Sequence, residues 1–245
     1  MIKPLELLVV EDNEKHLADA RAYFAPIEQK GIVHVTYAST LKEVLDTKDY
    51  IPQNIQGVIT DIFFPTGFVG ARKKQVLNFL RDTLEERTIS NDPEYTRKLM
   101  DSINSWLKGK TIPPSGVYLA YIVKMIYKGL PIVLNTDTYH HGDATQPVST
   151  WANSKDIKLV ETGKGDEPGK SKDWRGAYWI IAAEIETCSH PKKIVAYALD
   201  GTSLGLYFKK EDCNVQDTPE EIAEIKQLRQ KIFEKYHIDK SGLGY

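Results

Sequence analysis

Gly57-Val58-Ile59-Thr60-Asp61-Ile62-Phe63-Phe64-Pro65-Thr66-Gly67 is a short apolar, β-branched run that ends on a carboxylate and then breaks at a proline and a glycine. Its composition predicts a strand over Gly57 to Asp61, and a strand without polar alternation is one covered on both faces, as in a parallel sheet. Upstream the same unit recurs. Leu5 to Val10 is apolar except for Glu6 and runs into Glu11-Asp12, after which Glu14 to Gln29 places Leu17, Ala20, Tyr23, Phe24 and Ile27 at the three- and four-residue spacings of a helix. Gly31 to Tyr37 is alternating and β-branched, and Ser39 or Thr40 can cap a short helix through Leu41, Val44 and Leu45.

Downstream, a helix directly after the Asp61 strand is replaced by residues 66 to 114, with two polar amphipathic patterns near Arg72 to Glu86 and Glu94 to Lys108. Asn91-Asp92-Pro93 starts the second and Pro113-Pro114 marks its exit, so the segment reads as a helical insertion. The core pattern then resumes: Gly116 to Lys128 is helical, Gly129 suits its end, and Leu130 to Leu134 is a fourth buried strand. The fifth strand has two candidates, Ile157 to Val160 and Lys193 to Ala198, with the first preferred. Residues 163 to 172 form a Gly/Lys/Pro loop before a helix over Trp174 to Thr187. Asp200-Gly201 suits a turn between two strands, and the capping box Thr218-Pro219-Glu220-Glu221 opens a helix to about Tyr236. Its stripe of Ile222, Ile225, Leu228, Ile232, Phe233 and Tyr236 is expected to pack on the domain, with a homodimer seam as the lesser reading. The expected fold is therefore α/β: a doubly wound, five-stranded parallel sheet in order 2-1-3-4-5 within a single domain over 1–245, carrying the 66–114 insertion and a C-terminal extension over 190–245.

Composition sets limits on function. The 245 residues include 32 Lys+Arg and 34 Asp+Glu, a formal net charge of -2, which gives no basic footprint for nucleic acid or a membrane surface. Arg72-Lys73-Lys74 and the scattered lysines are interspersed with acids and read as solvated faces. Cys188 and Cys213 have neither disulfide-framework nor CxxC spacing, and Met1 to Asn13 lacks the apolar length of a signal peptide. No apolar run reaches membrane-spanning length, and a cytoplasmic protein is the expectation.

Ligands of open parallel sheets bind beyond the carboxyl ends of the strands. Strand one ends in Glu11-Asp12, strand three in Asp61 and strand four in Asn135-Thr136-Asp137. In the order 2-1-3-4-5 the first two sets are neighbours, and three carboxylates in one pocket call for a cation. Mg²⁺ suits such oxygen ligands and leaves room for a phosphoryl oxygen.

Three stretches carry a resemblance. Leu7-Leu8-Val9-Val10-Glu11-Asp12-Asn13, Gly57 to Gly67 and Gly129-Leu130-Pro131-Ile132-Val133-Leu134-Asn135-Thr136-Asp137 resemble the strand-one acid pair, the phosphoacceptor strand and the threonine strand of response-regulator receiver domains. The resemblance covers about 4 to 65 and 115 to 162. It implies Asp61 as phosphoacceptor, Glu11, Asp12 and Asp61 as Mg²⁺ ligands with the Phe63 backbone carbonyl, and Thr136 at the phosphoryl group. It also implies a histidine kinase or phosphotransfer protein as donor and a downstream protein partner.

The chain departs from that family at strand five, where a Lys, usually followed by Pro, is expected and Val160-Glu161-Thr162-Gly163-Lys164-Gly165 stands instead. Lys164 is the first candidate for that role, Lys172 the second and Lys158 the least. A non-phosphorylated pseudo-receiver is the main alternative. A Mg²⁺-dependent phosphatase is the next, and would need Asp137 or His140 as a base. His140-His141 lacks a third ligand at metal-site spacing and reads as loop. Ile194 to Thr202 resembles the nucleophile strand of haloacid-dehalogenase-type phosphatases but lacks the second acid two residues after Asp200.

Overall fold

The hydrophobic runs pair as a five-stranded sheet in the order β2-β1-β3-β4-β5, built from β1 (Leu5–Val10), β2 (Val33–Ala38), β3 (Gly57–Thr60), β4 (Ile132–Asp137) and β5 (Lys158–Thr162). All four pairings are parallel. The computed structural model describes residues 3–45, 51–85, 93–137, 145–162, 172–187, 193–197, 204–208 and 219–239. The fold is the doubly wound α/β arrangement of the flavodoxin-like strand order.

The central strands β1, β3 and β4 are buried on both faces because helices cover both, whereas the edge strand β2 alternates, with His34 and Thr36 exposed. On one face Leu8, Val10, Val58, Ile132 and Leu134 pack against α2 (Leu41–Val44), α3 (Gly70–Glu85), α4 (Pro93–Leu107), α5 (Ser115–Ile126) and α6 (Thr145–Ser154). On the other, Leu7, Val9, Ile59, Val133 and Val160 pack against α1 (Glu14–Glu28), α7 (Trp174–Thr187) and α8 (Pro219–Tyr236). Asn13 caps α1 by accepting from the Lys15 and His16 amides, and Thr40 caps α2 by accepting from the Glu43 amide. The α1 face that meets the sheet consists of His16, Ala20, Phe24 and Ile27, one position off the anticipated stripe at its start.

The segment between β3 and α5 contributes Val76, Leu77, Leu80 and Leu84 from α3, and Ile103 and Trp106 from α4, to the first core cluster. Of the two fifth-strand candidates, the earlier one pairs with β4, with Asn135 opposite Val160. The later one, β6 (Lys193–Tyr197), instead forms an antiparallel pair with β7 (Leu204–Phe208), and the turn expected at Asp200-Gly201 lies outside the described residues. Ile232, Phe233 and Tyr236 of α8 are buried in the second cluster, where the Phe233 ring stacks on Trp179 at 4.7 Å. The α6 helix, which sequence reading left unassigned, buries Val148, Trp151 and Ala152. Cys188, Cys213 and His140-His141 lie outside the described residues. Among the described residues no helix is long and apolar enough to cross a membrane.

Candidate functional site

The parallel ladder carries two acids to the same edge. The Glu11 amide donates to Ala38 O and the Asp61 amide to Val10 O, each at 2.9 Å, so both residues continue the hydrogen bonding one step past their strands. This pins both backbones at the carboxyl ends, where the chain turns toward the helices. Asp12 is half-buried beside them, and one carboxylate oxygen from each of Glu11, Asp12 and Asp61 lies within 4.8 Å of the others. Local bonds hold the side chains: Glu11 Oε1 accepts from the Asn13 amide at 3.0 Å, and Asp61 Oδ1 from the Ile62 amide at 2.7 Å.

A lysine from a distant segment closes the group. Lys172 Nζ lies 2.6 Å from Glu11 Oε2 and 2.8 Å from Asp61 Oδ1, with its residue only 4% exposed. The start of α7 fixes its position, because the Trp174 amide donates to Lys172 O and the neighbouring Asp173 carboxylate caps the helix at the Gly176 amide. Burial by itself would lower the ammonium pKa. Asp61 and then Glu11 outweigh it and hold the group above its usual value. The acids respond in the opposite sense to burial: Glu11 is pushed up to about 7, with Asp61 adding to the rise and Lys172 opposing it. Asp12 is pushed up to about 6 by burial and then by Asp61.

These residues share a cavity of about 370 Å³ with Phe63, Thr136, His16, Asp137 and Ile112. Thr136 is buried at the end of β4, its hydroxyl directed to Asp137 O at 3.3 Å. Ile112 brings the segment between α4 and α5 to the cavity rim. The α5 N-terminus presses on the Asp61 turn: the Gly116 amide donates to Ile62 O at 2.9 Å, and a Cβ at Gly116 would stand 2.2 Å from Asp61 O. Only glycine fits this approach. A larger cavity of about 770 Å³, which includes Lys3, Lys30 and Lys235, opens at the amino ends of the strands. The acid cluster is at the other edge, the one where open α/β sheets bind ligands.

The donor set suits a hard cation. Three carboxylates together match the oxygen preference of Mg²⁺, Phe63 lines the same cavity, and the burial that raises Glu11 and Asp12 disfavours their charged forms. Lys172 already supplies one charge and contacts two of the three acids. A cation held by these acids would have to share or displace those contacts.

Of the expected site residues, Glu11, Asp12, Asp61, Phe63, Thr136 and Lys172 line one cavity. Lys164, the preferred lysine, lies outside the described residues, and Lys158 instead pairs with Asp156 at 2.7 Å. Sequence reading noted Asp137 as a pocket acid but did not single out its partner: His16 Nε2 is 2.9 Å from Asp137 Oδ2. The available signal was a histidine three residues after the Asn13 cap, in phase with the apolar Ala20 and Phe24.

No family model and no curated protein matches the chain. Among solved structures, that of the RcsB response regulator of Salmonella typhimurium, described for conformational dynamism in DNA interaction, is similar over 97% of this chain and 94% of that one. The identity is 12% and the TM-score 0.39. The fold is read from the strand order itself.

Proposed function

We propose that this chain is a receiver-like signalling domain that accepts a phosphoryl group on Asp61 and changes its protein contacts in response. The observation that carries this reading is the convergence of Glu11, Asp12 and Asp61 with Lys172 and Thr136 in one cavity at the carboxyl edge of the sheet. In the reaction, an Asp61 carboxylate oxygen attacks the phosphorus of a donor, and the donor's leaving group departs with its electron pair. Lys172, already within hydrogen-bond distance of Asp61, balances charge on the phosphoryl oxygens, and Thr136 offers a hydroxyl to them. Glu11, Asp12 and Asp61, with the Phe63 carbonyl, would hold Mg²⁺, which when bound supplies further charge compensation at those oxygens. A histidine kinase or phosphotransfer protein would serve as donor, and a downstream protein would read the phosphorylated state.

Intact-protein mass spectrometry after incubation with acetyl phosphate tests the assignment. A gain of one phosphoryl unit is expected in wild type with Mg²⁺, and none in Asp61→Asn or with chelator. A gain that persists in Asp61→Asn overturns Asp61 as acceptor.

The second reading is a pseudo-receiver that binds partners without phosphorylation. Its support is Lys172 itself, an internal cation that lets the acids remain buried without a metal. Absence of any gain in a folded protein favours it.

A further inference from the structure

The cavity holds a polar pair that phosphoryl acceptance does not use. His16, in the first turn of α1, and Asp137, the last residue of β4, are 5% and 9% exposed, and their contact spans 121 positions of sequence. An ionised carboxylate can only accept, so in this contact His16 Nε2 donates its hydrogen to Asp137 Oδ2. Among the described residues Nδ1 has no hydrogen-bond partner. What histidine adds is a fixed N–H donor. It holds the Asp137 carboxylate in one orientation at the cavity wall, one residue beyond Thr136.

We propose that Asp137 is the general base that hydrolyses the phosphoryl group from Asp61, with His16 as its positioning residue. This rests on Asp61 being the acceptor. A water oxygen forms a bond to phosphorus as its proton passes to an Asp137 carboxylate oxygen. The bond between phosphorus and the Asp61 oxygen breaks, and its electron pair returns to the Asp61 carboxylate. Inorganic phosphate leaves, and Asp137 gives up its proton to solvent. The protein thereby limits the lifetime of its own phosphorylated form.

The test charges the full chain with acetyl phosphate and Mg²⁺, removes the donor by desalting, and follows decay of the phosphoprotein by intact mass. Loss of a general base slows a reaction by about 10²–10⁴-fold, and decay in Asp137→Asn is expected to slow on that scale, with loss of the solvent deuterium isotope effect. His16→Leu is expected to slow decay less, and His16→Gln, which keeps an N–H donor, to restore it. Urea unfolding of each variant identifies any that fail to fold, and Asp137→Ser repeats the test with a smaller side chain. Equal decay in wild type and both folded Asp137 variants overturns the base assignment while leaving Asp61 as acceptor. Equal slowing by His16→Leu and His16→Gln overturns the positioning role. If no phosphoryl group appears on any variant, including Asp137→Asn, where it should accumulate, both the acceptor reading and this inference are overturned.

Discussion

At Lys172 one ammonium group serves two buried carboxylates, so its removal has a definite sign. Lys172→Met keeps an apolar stem but leaves Glu11 and Asp61 facing one another. Breaking a buried pair costs about 3–5 kcal/mol, and proton uptake by Glu11 relieves part of that. The variant is expected to be less stable than wild type in chelator and to gain more stability from Mg²⁺, measured by urea unfolding with and without the ion. An equal Mg²⁺ increment in both proteins would argue against competition between ammonium and metal.

The acids set a pH dependence of their own. Glu11 and Asp12 have ordinary values of 4.5 and 3.8 and folded values of about 7 and about 6, so between these limits the folded protein retains protons that the unfolded chain has released. Without divalent cation, stability is therefore expected to fall as pH rises from about 4 to about 7 and to level off above, while Glu11→Gln flattens the slope. The Lys172 contribution is complete throughout this window and is lost only above its ordinary value of 10.5. A urea series on wild type and Glu11→Gln from about pH 4 to about 7 in chelator checks the acid slope. The three acids were legible in the sequence because each ends, or directly follows, an apolar run. Lys172 ranked behind Lys164 because strand-end reasoning favours the nearer lysine, whereas which lysine meets the acids is decided by tertiary packing at the start of α7.

The α5 helix and the Asp61 turn are in backbone contact. In Gly116→Ala the added methyl would meet Asp61 O at 2.2 Å and Ile62 Cα at 3.0 Å, and neither can rotate away. The helix must retreat, at a cost of about 1–3 kcal/mol, and phosphoryl uptake by Asp61 is expected to slow with it. Urea unfolding and the uptake assay on the same preparation check the coupling; unchanged uptake in a destabilised variant would disprove it. Most elements could be read from periodicity, since the strands are short apolar runs and α1, α5 and α7 show clear repeats. The α6 helix was missed because it is ten residues long, has Pro147 in its first turn, and shows its apolar spacing only at Val148, Trp151 and Ala152. The choice between Lys158–Thr162 and Lys193–Tyr197 for the fifth strand was decided by pairing, which periodicity does not encode.

Across the whole molecule, the two core clusters lie on opposite faces of one sheet, and the acid site sits at the edge they share. A ligand bound there only in the folded state stabilises the fold by mass action, about 2.7 kcal/mol at a hundred times its Kd. Titration with Mg²⁺ is accordingly expected to raise the thermal midpoint of wild type and to do so weakly in Asp12→Asn; equal shifts in the two would place the ion elsewhere. The overall architecture was the most legible level, because the alternation of strands and helices restricts connections to a few right-handed solutions.

The 161-residue separation between Glu11 and Lys172 also orders events during synthesis. At about 5–20 residues per second a ribosome needs roughly 8–30 s to travel from the first to the second. From the synthesis of Asp61 until that of Lys172, β1 and β3 carry their acids without the internal cation, and only counterions from the surrounding solution can neutralise them. The site therefore matures late, when α7 docks, so a nascent chain that stalls before residue 172 would present a carboxylate cluster of different ionic character from that of the finished protein.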